Sequence, residues 1–346
     1  MKTKKIFLIG NFSYPFYEPA FSNSLKKIGF NVIEYKINPQ NLFFRLLFQI
    51  EEYFSLIGPF MFFHMRKMIR IAKYERPEIV FFWRPILIDR SMITKLKIIN
   101  PSCLVVNYQN DNPFGRLYQK RNFRLKRLWK NFIKTISSYD INIVYRNSNI
   151  EDYKRQGAHN IILFPPAYIP SHIPPNLNTN FLFDVVFIGH SEEKRVNYIN
   201  YLLESGISVK IFGTGWDISA LHHSYGYNEI IAVYGNDYYQ MLYASKINLA
   251  FLSDLNEDVY TRRNFEIPGM GGLMLSERTS ELESFFKEGE EAFFFSSKIE
   301  LLEKVKFILD DNLLQVKIRL NAKKKSIEGG YDIDSRVKKL MIDLNQ

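Results

Sequence analysis

Cysteine is nearly absent. Cys103 is the single one in 346 residues, which rules out an intramolecular disulfide framework and suits a reducing compartment. Long apolar runs are missing too. The longest charge-free apolar segment, YFSLIGPFMFFHM at 53–65, has thirteen residues and contains Gly58-Pro59, too short and too broken to cross a bilayer as a helix. The opening MKTKKIFLIGN has the basic start of a signal peptide, but only five residues, Ile6 to Gly10, precede Asn11. That length predicts a first buried strand instead. No HExxH, Walker loop or nucleophile elbow is found, so those metal, phosphate and acyl-transfer chemistries lose their usual carriers. GTGW at 213–216 lacks the third glycine of a dinucleotide fingerprint, which argues against NAD. His222-His223 has no cysteine and only Asp217 as an acid within five residues. The pair reads as a solvated helix end, and neither a metal nor a cofactor is expected.

The length predicts two domains, and 46% apolar composition supplies substantial cores. The net charge of +10 is unevenly placed: residues 1–180 carry 27 Lys+Arg against 11 Asp+Glu, and residues 181–346 carry 19 against 25. The first half is therefore the one suited to an anionic surface or ligand.

KKIFLIGN, a strand, leads into EPAFSNSLKKIG, a helix stopped by Gly29, and then into the strand NVIEYKI. The chain thus opens as a βαβ unit. Residues 41–73 are helical by period with a break at Gly58-Pro59. PEIVFFW, CLVVNY, INIVY and NIILFPP read as further strands, and SNIEDYKRQG as a short helix. FPPAYIPSHIPPNLNTN at 164–180 holds five of the fourteen prolines, the mark of an extended linker. FDVVFIGH then restarts the opening pattern. ISVKIFGTGW and INLAFL are strands, NDYYQMLYASK is a helix capped by Asn236, and helices near 297–309 and 333–344 finish the chain.

The most informative stretch is 254–295. Asp258 and Glu266 stand eight apart, flanking VYTRRNF, and a glycine cluster and the strand GLML follow. TRRNFEIPGM reads as a helix start, capped by Thr261 or Asp258, with Arg262 and Arg263 in its first turn. Arginines there oppose the helix dipole unless an anion lies between them. RRNFEIPGMGGLMLSERTSELESFFKEGEEAFFF resembles the donor-site segment of GT-B glycosyltransferases, in particular the bacterial family resembling the spore-maturation protein CgeB. Glu266 precedes Gly271 by five residues, as in that family's pattern. The first acid is Asp258, where the family's pair is Glu-Glu. The similarity runs over roughly 184–330.

The resemblance implies an α/β fold of GT-B architecture, with two Rossmann-like domains facing each other across a cleft. The boundaries would be an acceptor domain at 1–163, the linker at 164–180, a donor domain at 181–330, and a helix at 331–346 returning to the first domain. Ligands of such sheets bind at strand-end loops. The donor loops would be Gly189-His190 with Arg195, Gly213-Thr214-Gly215, and 258–266, with Thr261 in the last. Glycines admit phosphate oxygens to backbone amides, and Arg195 with Arg262 or Arg263 balances the charge. A carboxylate at Glu266 would accept from two ribose hydroxyls. In the first domain Asp111, in NDNP, follows a strand and is a candidate base, if the transfer inverts; the same residues also suit a plain turn. Glu18 and Asn11 line the first strand-end loop and are further candidates, Glu18 for catalysis.

Residues 115–134 carry eight basic side chains and no acid, interleaved with Tyr118, Phe123, Trp129 and Phe132. Such a run suits nucleic acid, an anionic membrane face or plain solvent. Beside a nucleotide-sugar site, membrane docking toward a lipid-linked or surface-glycan acceptor is the coherent choice, and nucleic acid the poorer one. The expectation is a metal-independent glycosyltransferase using a UDP- or GDP-linked sugar, peripheral on the cytoplasmic face of the membrane. Its rivals are a sugar-nucleotide epimerase of the same fold and a non-catalytic carbohydrate- or nucleic-acid-binding relative.

Overall fold

Strands buried on both faces read as unbroken apolar runs, and this chain has two sets of them. The computed structural model describes residues 4–39, 41–115, 123–178, 180–254 and 256–344. They form two compact units: Met1–Pro165 with Asp254–Glu257 and Ile333–Gln346, and Pro166–Ser253 with Asp258–Asp332.

In the first unit, β1 (Lys5–Gly10), β2 (Asn31–Lys36), β3 (Ile79–Trp83), β4 (Leu104–Gln109), β5 (Ile141–Val144) and β6 (Ile161–Leu163) build one parallel sheet. Its order is β2-β1-β3-β4-β5-β6, with Ile6 in register with Val32 on one side and Ile79 on the other. Helices α1 (Glu18–Lys27), α2 (Leu42–Phe54), α3 (Pro59–Glu75), α4 (Arg90–Ile99), α5 (Phe123–Thr135) and α6 (Ile150–Arg155) connect the strands. The strand order reverses between β1 and β3, and the carboxyl ends of strands at such a reversal form the ligand crevice of an open α/β sheet.

Asn41 starts α2 by accepting from the Phe43 amide at 2.8 Å, and Ser55 ends it in the left-handed region. Pro59 then starts α3, where a missing N–H costs nothing. The buried Glu51 carboxylate accepts from the Phe60 and Met61 amides at 2.7 and 2.9 Å, so an acid of α2 caps α3. The two helices meet at a bend of 99°.

The second unit contains β7 (Phe183–Ile188), β8 (Val209–Phe212), β9 (Ser245–Ala250), β10 (Met274–Glu277) and β11 (Phe293–Phe295), in the order β11-β10-β9-β7-β8. All pairs are parallel, and the order reverses between β7 and β9. Its helices are α7 (Glu193–Glu204), α8 (Gly235–Tyr243), α9 (Arg263–Met270), α10 (Ser280–Phe285), α11 (Lys298–Leu309) and α12 (Asn312–Glu328). The last helix, α13 (Ile333–Asp343), lies in the first unit. It buries Ile333, Val337, Leu340 and Met341, and its Asp334 accepts from Ser24 and pairs with Lys27 at 2.7 Å.

Two local expectations fail. Helix α8 begins at Gly235, one residue before Asn236, behind Tyr234, and no side chain caps it. Helix α9 begins behind Arg262 without a side-chain cap of its own. Instead the Asn264 side chain accepts from the Thr261 amide at 2.7 Å and from its hydroxyl at 3.1 Å. Asn264 thus holds the turn from inside the helix, and neither Thr261 nor Asp258 caps it.

Candidate functional site

The second unit gathers most of the expected donor residues at its β7/β9 reversal. Gly189 and His190 follow β7, and Gly213, Thr214 and Gly215 follow β8. Gly213 has φ 145°, and a Cβ there would overlap the Gly189 carbonyl. The two loops are therefore pressed backbone to backbone. His190 Nδ1 lies 3.0 Å from the Thr214 hydroxyl, the Ser191 amide donates to Thr214 O at 3.0 Å, and Trp216 Nε1 donates to Gly189 O at 2.9 Å.

Arg195 projects from the first turn of α7 and is buried. It donates to His190 O at 2.7 Å and pairs with Glu192 at 2.8 Å, and its guanidinium lies 5.7 Å from the centre of the Phe187 ring. Arg263, at the start of α9, reaches the same ring at 6.0 Å. Burial, and then the Arg263 cation, lower Arg195 from its ordinary value, opposed by Glu192, Glu277 and Asp258. Two guanidinium groups thus face one aromatic ring and repel each other. Nε of Arg195 and Nε of Arg263 are buried without a hydrogen-bond partner, and an unmade buried donor is costly unless something fills it.

The adjacent Arg262 points elsewhere, as successive helical residues separated by about 100° must. It pairs with Glu266, whose carboxylate is fully buried and also accepts from Tyr238 at 2.8 Å and Tyr239 at 3.2 Å. Burial and the Glu266 charge raise both tyrosines above their ordinary value, so they act as donors. His172 also feels Glu266, but burial dominates and lowers it. Asp258 is close enough to Arg195 to stabilise its charge. Asn264 Nδ2 donates to Ser276 on β10 at 2.8 Å, which ties α9 to the sheet. At its other end, the Gly272 and Gly271 amides return to Ile267 O at 2.8 Å and Pro268 O at 2.9 Å, a Schellman stop with Gly271 at φ 89°.

The first unit holds a cavity of about 360 Å³ at its β1/β3 reversal. Asn11 and Glu18 line it beyond β1, Trp83 and Arg84 beyond β3, and Asp111 beyond β4. Arg84 Nε donates to Asp111 at 2.6 Å. The buried Glu18 carboxylate accepts from the Asn11 amide at 2.9 Å. Burial raises its pKa, against the pull of its own, Asn11 and Phe12 amides and the Arg84 charge. Apolar side chains, among them Phe48 and Met61, complete the wall.

Tyr238, Tyr239, Glu277 and Arg84 were not singled out from the sequence. Arg84 follows the strand PEIVFFW directly, so the strand-end rule that selected Asp111 also reaches it. The paired tyrosines carried no comparable signal. In the basic run, 116–122 and hence Tyr118 lie outside the described residues. Trp129 and Phe132 are 2% and 0% exposed within the first unit's core, so neither offers a face to a base. The nucleic-acid reading loses those two platforms. His222 bonds to Ser224 at 2.8 Å, and no group of three or more His, Cys, Asp or Glu able to hold a metal ion occurs among the described residues.

Solved structures share both sheets over nearly the whole chain. A glycosyltransferase from Rickettsia africae matches with a TM-score of 0.67 and 13% identity, over 99% of this chain and 98% of that one. The fold is GT-B. A second GT-B relative, the Anabaena protein HepE in complex with UDP and glucose, matches at 0.61 with 12% identity, over 99% of each chain. A putative UDP-N-acetylglucosamine 2-epimerase from Listeria monocytogenes matches at 0.59 with 12% identity, over 98% of this chain and 95% of that one. The model of a family described as Glycosyl transferase-like matches residues 195–342, from the buried arginine of α7 into α13. No curated protein matches significantly.

Proposed function

We propose that this GT-B chain is a metal-independent glycosyltransferase of the CgeB-like kind. It would take a sugar from a UDP- or GDP-linked donor and pass it to a hydroxyl of a lipid-linked or bacterial surface-glycan acceptor. The observation that carries this reading is the facing pair Arg195 and Arg263, with unpartnered Nε atoms beside two glycine loops. Such a pair suits a diphosphate, whose negative charge grows as its bond to the anomeric carbon breaks. The arginines supply the charge that a divalent ion would otherwise bring.

Glu266 needs a modified role. Ringed by Arg262, Tyr238 and Tyr239, it holds the N-terminal end of α9 in place, and a ribose reaches it only if the half-buried Tyr238 turns aside. The acceptor would occupy the first unit's cavity. In an inverting transfer Glu18 takes the hydroxyl proton, because burial makes it the stronger base, and the Arg84–Asp111 pair orients the acceptor. The cationic half holds the enzyme peripherally on the cytoplasmic leaflet.

Thermal-shift measurements against a panel of nucleotide-sugars and free nucleosides test the donor assignment. A UDP- or GDP-sugar should stabilise the protein and its nucleoside should not, and stabilisation by no member of the panel would end the assignment. Mass analysis of the bound sugar nucleotide after incubation then separates transfer or hydrolysis from the epimerase reading, which conserves mass and changes only the sugar's configuration.

A further inference from the structure

We infer that the helix pair α2–α3 is a membrane-insertion element, seated in the headgroup and acyl boundary of an anionic bilayer. This goes beyond the transfer reaction, since a non-catalytic relative would carry the same surface. On a wheel of about 100° per residue, Leu42, Phe43, Leu46, Ile50, Tyr53 and Phe54 fall within an arc of about 120°. All six are exposed, Leu42 by 81% and Phe43 by 63%. Leu56 and Ile57 in the bend, and Phe62 and Phe63 on α3, extend the same exposed apolar character. A contiguous surface of this size on a folded domain calls for an occupant.

Charge selects the bilayer. Every exposed charged side chain of α2 and α3 is a cation: Arg45, Arg66, Lys67, Arg70 and Lys73. The three acids are withdrawn, Glu51 into the cap of α3, Glu52 into the wall of the cavity and Glu75 into a pair with Lys5. Arg66 lies over the Phe62 ring at 4.7 Å, and Arg127 of α5 over Phe54 at 5.7 Å, so cations sit at the rim of the apolar surface. Leucine and phenylalanine on one face and arginine and lysine beside them are what an interfacial helix presents to anionic lipid. No single described helix is long and apolar enough to cross a membrane. Helices α2 and α3 reach that length and composition only together, and the 99° bend between them breaks the pair, which suits two short helices at the interface better than one straight span. Phe48, Glu52 and Met61 of this pair also line the cavity that holds Glu18 and Asp111, which would open the acceptor pocket at the lipid boundary.

Flotation with vesicles of phosphatidylglycerol and phosphatidylcholine, or phosphatidylcholine alone, at low and high salt is the experiment. A Phe43→Cys variant with an environment-sensitive dye reports depth, because the native Cys103 is buried and leaves the label site-specific. We expect flotation on the anionic vesicles that persists in part at high salt, a blue-shifted dye and quenching by brominated acyl chains. The variant Leu42→Ser/Phe43→Ser/Leu46→Ser should lose about tenfold or more in vesicle partition with unchanged thermal unfolding and nucleotide binding. A water-exposed dye on floated protein, or equal flotation of the triple variant, would overturn insertion. So would absent flotation with a dimer that the triple substitution dissociates, which would make a second copy the occupant.

Discussion

Arg263→Ala tests the donor site most sharply, because its effects on affinity and on stability should separate. Arg263 and Arg195 lie 6.0 and 5.7 Å from the same Phe187 ring, and each has a buried Nε without a partner. Their mutual effect is repulsive, as the lowering of Arg195 by Arg263 shows. Removing Arg263 should therefore leave the free protein as stable as before, or slightly more so. With a diphosphate bound, the same change deletes a charge-assisted hydrogen bond of about 1.5–3 kcal/mol. At about 1.4 kcal/mol per factor of ten, that weakens UDP or GDP binding roughly 12- to 140-fold. The nucleosides do not reach the phosphate positions and should bind as before. Calorimetry with diphosphates and nucleosides, alongside urea unfolding, reads both quantities. Equal losses for nucleoside and diphosphate would refute the assignment, as would a loss of stability with unchanged diphosphate affinity.

Two further outcomes follow from buried acids. Glu18 has a raised folded-state pKa, so the stability it contributes is full below the ordinary glutamate value and lost as pH rises through the folded one. Glu18→Gln should accordingly stabilise the protein near neutral pH, while removing the acidic limb of the kcat/KM profile if Glu18 is the base; an unchanged limb would assign the proton elsewhere. Glu266→Gln leaves Arg262 without its carboxylate and two tyrosine hydroxyls with a weaker acceptor, a loss of about 3 kcal/mol in urea unfolding. A loss below about 0.5 kcal/mol, the scale of ordinary surface substitutions, would show that the cluster does not hold α9.

The sheets were legible in the sequence because buried parallel strands need no partner pattern to be recognised: IVFFW is apolar throughout, INLAF is interrupted only by the buried Asn248, and every residue of β3 is buried. The position of the glycine loops was legible for the same reason, since glycines and cations placed after such strands fall at one edge. The division of labour between Arg262 and Arg263 was only half legible. Helical spacing says that they diverge, but which one meets Glu266 depends on Tyr238 and Tyr239, which no spacing rule brings near. Helix α12 was missed outright, and its polarity explains why. It exposes Leu313, Val316 and Leu320 while burying Gln315 and Arg319. Arg319 donates to the carbonyls of Gly271, Ser245 and Tyr243 at 2.8–3.0 Å, so a charged residue occupies the place where periodicity looks for an apolar one.

The packing of α13 against α1 has a consequence for synthesis of the chain. The segment that covers Ser24 and Lys27 leaves the ribosome some three hundred residues after them, whereas residues 166–253 and 258–332 are all made before it. The later-encoded second unit can therefore reach its native form while the earlier one still waits for its closing helix. During that interval the apolar bed of α13 stays uncovered, and nascent chains of this protein present a sticky first half to chaperones and neighbouring chains. Translation that stops near residue 332 would leave that state permanent: a finished second unit tethered to an unfinished first one.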